Sequence, residues 1–149
     1  ANRARGQVAI ASAKIAYQIY KEIFASDRFK KLAAQGARVQ RLLWASTGTK
    51  NPDYSDVKYI EALIGPDTIN TAPLETLDAY RDHGEPKARL EQDVPEAYWV
   101  LRRLAELGVS LDNITRRLED EGVEKFNQPF DELMETLAQP LSRHETRSS

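Results

Sequence analysis

The sequence predicts an α/β fold in its first half, followed by a mainly helical second half. Between residues 7 and 83, stretches with helical spacing of apolar residues alternate with two apolar runs that are too short to be helices. After residue 95, three more helical patterns follow one another without a strand signal. Because the helices and strands alternate at short intervals, the strands are predicted to be parallel, with helical crossovers.

The first helix is predicted from Gln7 to Phe24. Its apolar stripe recurs at three- and four-residue spacing and consists of Val8, Ala11, Ile15, Ile19 and Ile23. Ser26 is predicted to be the N-cap of a short second helix, which Gly36 is well placed to end. The run Leu-Leu-Trp-Ala at residues 42–45 is predicted to be a buried strand.

The pattern then repeats. Ser55 is predicted to cap a third helix with an inner face of Val57, Ile60, Leu63 and Ile64. A second strand is predicted in TINTAP, residues 68–73. Pro73 opens a fourth helix that Gly84 stops. The residues predicted to face inward on that helix are Leu74, Leu77 and Tyr80.

The second half begins with a polar connection at residues 85–95. Helices are predicted at residues 96–107, 110–121 and 131–138, and the breaks between them are assigned to Gly108, Gly122 and Pro129. The tail at residues 142–149 is polar and predicted to be frayed. We therefore divide the chain into strand–helix units at residues 1–84 and a helical extension at residues 85–149.

Two strands are too few for a complete parallel sheet. Such sheets are normally covered by helices on both faces and contain several strands. We therefore expect residues 1–84 to be the closing section of a larger α/β sheet or barrel, and the chain to be a piece of a fold. The sequence does not begin with Met, which suggests a processed chain or one that begins inside a larger protein.

Composition excludes several classes of function. The 149 residues are 41% apolar and 30% charged, as is typical of a soluble globular protein, and the net charge is −2. These totals indicate neither a nucleic-acid partner nor an anionic membrane surface, both of which call for a basic face. No apolar run approaches the roughly 20 residues of a membrane span, and the N-terminal residues make a poor signal peptide.

The residues that usually bind metals are scarce. There is no cysteine, and the two histidines, His83 and His144, lie far apart in the sequence, so we expect no metal. The absence of cysteine is compatible with a reducing cytoplasm, which is the expected location. His83 is interpreted as a helix-capping cation, Asp67 as a turn residue, and Trp44 as a core residue.

One loop is a candidate binding site. The apolar strand ending at Ala45 runs directly into Ser-Thr-Gly-Thr-Lys, residues 46–50. In α/β folds, ligands bind beyond the carboxyl ends of the strands. Small side chains allow backbone N–H groups to approach an anion, and Lys50 adds a positive charge. The loop lacks the spacing of a Walker A motif. An ordinary turn, with Lys50 in water, is the alternative.

The same residues resemble a known family. Residues 41–73, RLLWASTGTKNPDYSDVKYIEALIGPDTINTAP, resemble the seventh strand, the following helix and the eighth strand of a transaldolase. Residues 8–24 are similar to the helix before that strand, and residues 105–138 to the C-terminal helices of the longer transaldolases. The resemblance covers residues 6–138.

This resemblance implies the C-terminal portion of a (β/α)₈ TIM barrel, with its last two strands and a C-terminal helical extension. It also implies an enzyme that moves a dihydroxyacetone unit between sugar phosphates in the pentose phosphate pathway. A class I aldolase-type Schiff base on a lysine would do this without a metal or cofactor. Ser46, Thr47 and Lys50 would bind the substrate phosphate.

The lysine that forms the Schiff base in the family is expected upstream of this sequence, on a middle strand of the barrel. No segment here resembles that strand. Lys50 is a poor substitute, because a nucleophilic lysine usually needs an apolar pocket or a neighbouring cation, and Lys50 lies among hydroxyls. The resemblance therefore implies no catalytic residue in this chain, and its partner is expected to be the N-terminal half of the barrel.

Three readings follow. The first is the C-terminal part of a transaldolase, inactive without the upstream strands, whether these lie on the same chain or on a second one. The second is a non-catalytic helical interaction domain derived from the same fold, and the third is a stand-alone sugar-phosphate binder. Unpaired strand edges lead us to expect that the isolated chain is molten or oligomeric.

Overall fold

The computed structural model describes residues 2–138. Its elements, after a 3-10 turn at Asn2–Ala4, are α1 (Val8–Ala25), α2 (Asp27–Ala33), β1 (Leu42–Trp44), α3 (Lys58–Ala62), β2 (Thr68–Asn70), α4 (Leu74–His83), α5 (Val94–Glu106) and α6 (Leu111–Ala138). The described residues form two compact units that divide between Gly108 and Val109. The predicted frayed tail at residues 142–149 lies outside the described residues.

The two strands pair in parallel, as the alternating pattern predicts. The partners are Leu42 with Thr68, Leu43 with Ile69 and Trp44 with Asn70. Just beyond the pairing, the Thr71 N–H donates to the Trp44 carbonyl oxygen at 2.9 Å. The described part of the chain is thus mostly helical with a two-stranded parallel sheet, which is consistent with a portion of a larger α/β fold.

The first unit has two apolar clusters with α1 between them. One cluster brings α1 against the sheet and α3, and its buried members are Ile10, Tyr17, Trp44, Leu63 and Leu90. The other lies between α1 and α5 and contains Ala4, Ala11, Ala97 and Val100. The interpretation of Trp44 as a core residue is therefore confirmed, because its exposed fraction is 9%.

The predicted inner stripe of α1 is partly wrong. Ala11 is buried, but Ile19 and Ile23 are 48% and 54% exposed. A single-stripe prediction assumes one partner surface. Because α1 packs against the sheet on one side and against α5 on another, Ile10 and Tyr17, which lie off the stripe, are buried.

The predicted helix boundaries vary in accuracy. The Phe29 N–H donates to Ser26 Oγ at 3.2 Å, which confirms Ser26 as the N-cap of α2. Gly36 follows the end of that helix in the left-handed region at φ +95°, as a C-terminal glycine does. Ser55 does not cap α3, because that helix begins at Lys58 and is preceded by Val57.

The predicted inner face of α4 is wrong at its two leucines. Leu74 is 78% exposed and Leu77 is 40% exposed, whereas Thr76 is 4% exposed. The loop after β1 packs against the start of α4 on the Thr76 side. Nothing among the described residues covers the leucine side, so its apolar pattern has no partner in this chain.

The connection between α4 and α5 has a buried anchor that its polar composition did not indicate. Leu90 is fully buried. The N–H groups of Arg89 and Leu90 both donate to the Ile64 carbonyl oxygen at 3.0 Å. This segment therefore holds the end of α3 in place.

The last two helices are one. The predicted breaks at Gly122 and Pro129 do not occur, and α6 runs through both residues for 28 residues. One internal glycine costs about 1 kcal/mol, and a proline removes one hydrogen bond of the ladder while its neighbours keep theirs. No helix within residues 2–138 has the length and apolar character needed to cross a membrane.

Candidate functional site

The candidate site lies where the two parallel strands end. The loop at residues 45–51 follows β1, and residues 71–73 follow β2 at the same edge of the sheet. A cleft of about 490 Å³ opens there. Its lining includes all three sequence-predicted residues, Ser46, Thr47 and Lys50.

Ser46 changes the direction of the chain as it leaves β1. It adopts φ +56°, in the left-handed region that few non-glycine residues occupy. Its side chain is exposed. Non-glycine residues with this backbone conformation are more frequent at functional sites than elsewhere. The conformation is strained, so the surrounding structure must hold it in place.

Thr47 ties the two loops together. Its side chain is 3% exposed, and its hydroxyl lies 2.7 Å from Asn70 Oδ1 and 3.2 Å from the Thr71 carbonyl oxygen. The hydroxyl donates its one hydrogen towards these acceptors. The Thr71 hydroxyl in turn donates to the Trp44 carbonyl oxygen at 3.2 Å. No sequence motif marked Asn70 or Thr71 as partners of this loop.

Gly48 lets this loop approach the start of α4. A Cβ at this position would lie 2.9 Å from Pro73 Cγ and 3.2 Å from Thr76 Oγ1. Since real Cβ atoms very rarely come so close to their neighbours, a side chain here would push the loop away from the helix. The glycine therefore sets the position of the residues on either side of it.

Among the described residues that line the candidate cleft, Lys50 is the one with a positive charge. It is exposed and lines both the 490 Å³ cleft and a neighbouring cavity of about 260 Å³. Two acidic residues, Asp56 and Glu75, also line the second cavity. Lys50 therefore borders a mostly apolar cleft, to which Ser46, Thr47 and Asn51 add polar groups, and a second cavity lined by two acids.

Two buried polar atoms in this region have no hydrogen-bond partner among the described residues. They are the Thr49 hydroxyl and the indole nitrogen of Trp44. A buried polar group without a partner is uncommon in native proteins. The sequence pattern does not reveal such atoms, because their burial depends on residues that are distant in sequence.

His83 is the last residue of α4 and contacts Asp56, which lines the second cavity. Its ring nitrogens face two carboxylates, which the helix-capping interpretation did not predict. Nε2 is 2.9 Å from Asp56 Oδ1, and Nδ1 is 3.2 Å from Asp82 Oδ2. The hydrogen bond to Asp56, and to a lesser extent the one to Asp82, raises the pKa of His83 above its ordinary value. The same bond to His83 lowers the pKa of Asp56.

A separate cavity of about 280 Å³ lies between α1 and α5. Lys14 lines it and donates to the Gln92 carbonyl oxygen at 2.7 Å. Burial lowers the pKa of Lys14, and the charge of Asp93 partly opposes this. Lys14 is half-buried.

Parallel strands joined by helices, with a cleft at their carboxyl edge, define an α/β protein, and in such folds this edge is where ligands usually bind. The model of the transaldolase/fructose-6-phosphate aldolase family matches residues 1–137. The chain belongs to the transaldolase/fructose-6-phosphate aldolase family. The family resemblance inferred from residues 6–138 is therefore confirmed.

Individual relatives agree with the family. The chain is 52% identical over 135 residues to transaldolase 2 of Nostoc punctiforme, covering 89% of this chain and 35% of the relative. It is 55% identical over 130 residues to the transaldolase of Thiobacillus denitrificans, covering 87% of this chain and 36% of the relative. The chain thus spans about a third of the length of the curated relatives it matches.

Proposed function

We propose that this chain is the C-terminal part of a transaldolase and supplies the substrate-phosphate end of its active site. The complete protein would transfer a dihydroxyacetone unit from sedoheptulose 7-phosphate to glyceraldehyde 3-phosphate, giving erythrose 4-phosphate and fructose 6-phosphate. The family and the relatives named transaldolase support this activity. The observation that carries the role of this chain is the cleft at the strand ends, which Ser46, Thr47 and Lys50 line together.

The proposed roles of the three residues differ. Lys50 pairs its ammonium with the phosphate as a mobile point charge. The exposed Ser46 hydroxyl donates a hydrogen bond to the same group. The Thr47 hydroxyl is already engaged with Asn70, so its role is to hold the loop in shape beside the cleft.

The chemistry belongs to residues outside this sequence. The proposed nucleophile is a lysine on a middle strand of the TIM barrel. Its amine attacks the ketone carbon of the donor, water leaves, and the resulting imine accepts the electrons released when the neighbouring carbon–carbon bond breaks. In this proposal the protein needs no cofactor, works in the cytoplasm and contributes to the pentose phosphate pathway.

The upstream half of the barrel is the proposed partner of the first unit. Leu43 on β1 is 51% exposed, and Leu74 on α4 is 78% exposed. A strand residue of this kind normally packs within a covered sheet. Additional strands and helices of a barrel would cover both residues, whether they belong to the same chain or to a second chain.

The alternative remains a non-catalytic helical interaction domain of the same family. The observation that favours it is α6, where Phe126 is 82% exposed and Phe130 is 60% exposed. The two residues are four positions apart, so they lie on the same face of the helix. Contiguous exposed apolar patches of this kind often mark surfaces that bind partners. An experiment that locates the covalent intermediate separates the two functions.

The experiment uses a fusion protein in which the upstream part of the Thiobacillus denitrificans transaldolase precedes residues 1–149. It is incubated with fructose 6-phosphate and borohydride, and the dihydroxyacetone adduct is located by mass spectrometry. We expect an adduct on the upstream part and none on residues 1–149. An adduct at Lys50, or an inactive and unmodified fusion protein with a native fold, would contradict the proposal.

Replacing Lys50 tests the phosphate role directly. Hydrogen bonds to charged groups contribute about 1.5–3 kcal/mol, so Lys50→Met should raise KM for fructose 6-phosphate roughly 10- to 100-fold. Lys50→Arg should retain most of the binding. The measurement is steady-state kinetics of the fusion protein with a phosphorylated and a non-phosphorylated ketose.

The matched control is Lys31→Met, which removes one exposed lysine from α2, away from the cleft. It should leave both kinetic constants unchanged. If Lys50→Met changed KM for the two ketoses equally, the lysine would not be binding the phosphate.

A further inference from the structure

His83 has a hydrogen-bonding arrangement that the proposed phosphate site does not use. One ring nitrogen faces Asp56, which precedes α3, and the other faces Asp82 on its own helix. The ring is 47% exposed and both carboxylates are more exposed still. The contact with Asp56 joins segments that are 27 residues apart in sequence.

This geometry favours the protonated form of the ring. A carboxylate accepts hydrogen bonds and cannot donate them, and a neutral imidazole has only one N–H. If the ring were neutral, one of its nitrogens would present a lone pair to a carboxylate. Only the imidazolium satisfies both contacts, at 2.9 Å and 3.2 Å.

The segment held by this contact adjoins the candidate site. Residues 51–54 form a turn in which the Asp53 N–H donates to Asn51 Oδ1 at 2.9 Å and the Tyr54 N–H donates to the Asn51 carbonyl oxygen. Asp56 follows this turn and lines the same cavity as Lys50. The contact between His83 and Asp56 therefore joins the end of α4 to the residues that follow the loop at residues 45–51.

We propose that protonated His83 clamps residues 51–57 to the C-terminal turn of α4, and that loss of its proton releases the segment beside the cleft. The clamp is a proton-dependent device of this chain. It concerns the order of the segment and does not require the proposed phosphate chemistry.

The direction of the pH dependence follows from the two partners. The pKa of His83 is raised, so its contribution is complete at low pH and is lost as the pH rises through that value. The pKa of Asp56 is lowered, so its contribution is lost only as the pH falls through that lower value. The clamp therefore holds in the window between the two.

Other charged groups surround the clamp. They are Lys50 and Glu75 on the cavity side, Asp78 and Arg81 on α4, and Glu85 with its partners Lys87 and Arg89 beyond the helix. Asp78 and Arg81 pair with each other at 3.8 Å, and Glu85 pairs with Lys87 at 2.9 Å. Asp56 and Asp82 are the groups in direct contact with the ring.

The first test measures the pKa of His83 in the fusion protein. Diethyl pyrocarbonate modifies neutral imidazole, so the pH profile of modification of the His83 peptide, followed by mass spectrometry, gives the pKa. We expect the profile to lie above that of a free peptide of residues 80–86. Asp56→Asn should move it to lower pH, and the control Asp78→Asn should not. A profile equal to that of the free peptide, or unmoved by Asp56→Asn, would overturn the proposal.

The second test measures the segment itself by amide hydrogen exchange. Protection of residues 51–57, corrected for the intrinsic pH dependence of exchange, should fall as the pH rises through the measured pKa of His83. In His83→Gln, the protection of residues 51–57 should be low both below and above that pKa. Equal protection in His83→Gln and the parent protein would show that the contact does not hold residues 51–57 in place, and would overturn the proposal. Neither readout uses a sugar phosphate, so failure here leaves the proposed phosphate site standing.

Discussion

At the scale of single residues, two neighbouring threonines in one loop have opposite surroundings. The Thr47 hydroxyl has acceptors at 2.7 Å and 3.2 Å, whereas the Thr49 hydroxyl is buried and has no partner among the described residues. The sequence presents both as small hydroxyl residues beside Gly48. Only the contacts of each side chain distinguish them. Thr47 joins two loops, whereas the burial of the unpaired Thr49 hydroxyl destabilises the protein.

This difference can be measured with isosteric substitutions. Thr47→Val should destabilise the fusion protein by about 0.5–1.5 kcal/mol, because it removes the hydrogen bond that the Thr47 hydroxyl makes with the exposed Asn70 side chain. Thr49→Val should be neutral or slightly stabilising, since it removes a buried polar group that has no partner. Urea denaturation of the two variants provides the comparison, and equal destabilisation by both would refute this account of the loop.

The candidate site was partly predictable at this scale. Ser46, Thr47 and Lys50 were identified because a polar loop follows an apolar strand, and the structure brings all three to one cleft. Asn70, Asp56 and His83 were not connected with the loop, because they are separated from it in sequence or carry no motif. Their positions follow from the strand pairing and from the direction in which α4 runs.

At the scale of elements, two helices show how partners decide which pattern is buried. In α1, the predicted stripe is exposed at Ile19 and Ile23, because the cluster shared with α5 includes Val8, Ala11 and Ile15 but no later residue of the helix. In α6, Gly122 was expected to end a helix and does not. Gly108 follows α5 with a left-handed backbone at φ +76°, and Gly84 ends α4 at φ −71°, whereas Gly122 lies within α6.

Gly108 and Gly122 therefore predict opposite results for the same substitution. Gly122→Ala should stabilise by about 1 kcal/mol, because it lies within a helix and an added Cβ meets nothing within 4 Å. Gly108→Ala also meets no neighbour, but its positive φ should destabilise by about 1–2 kcal/mol. Thermal unfolding of each variant of the fusion protein measures the sign, and stabilisation by both would exclude backbone conformation as the cause.

At the scale of the whole molecule, the exposed apolar side chains are the dominant feature. In the first unit they include Leu43 on the sheet and Leu74 on α4, and in the second unit Phe126 and Phe130 on α6. Each apolar Å² left in water forgoes about 25 cal/mol of stabilisation. In the proposed function, further elements of the barrel cover the exposed residues of the first unit, Leu43 and Leu74.

We therefore expect the isolated chain to be molten or oligomeric. Light scattering after gel filtration should give a mass above that of a 16.9 kDa monomer, or else the chain should bind a hydrophobic dye and unfold without a sharp transition. Adding the upstream part of a relative should restore cooperative unfolding. A sharp two-state transition from a monomeric isolated chain would contradict this expectation and favour an independent domain.

The sequence by itself determined the family, the order of helices and strands up to α5 and the location of the candidate loop. It could do so because apolar spacing, capping residues and family motifs are local properties of the chain. The tertiary structure decided which faces are buried, where α6 continues, and which polar groups meet around Lys50 and His83. These depend on contacts between residues far apart in sequence, whose energies no local pattern contains.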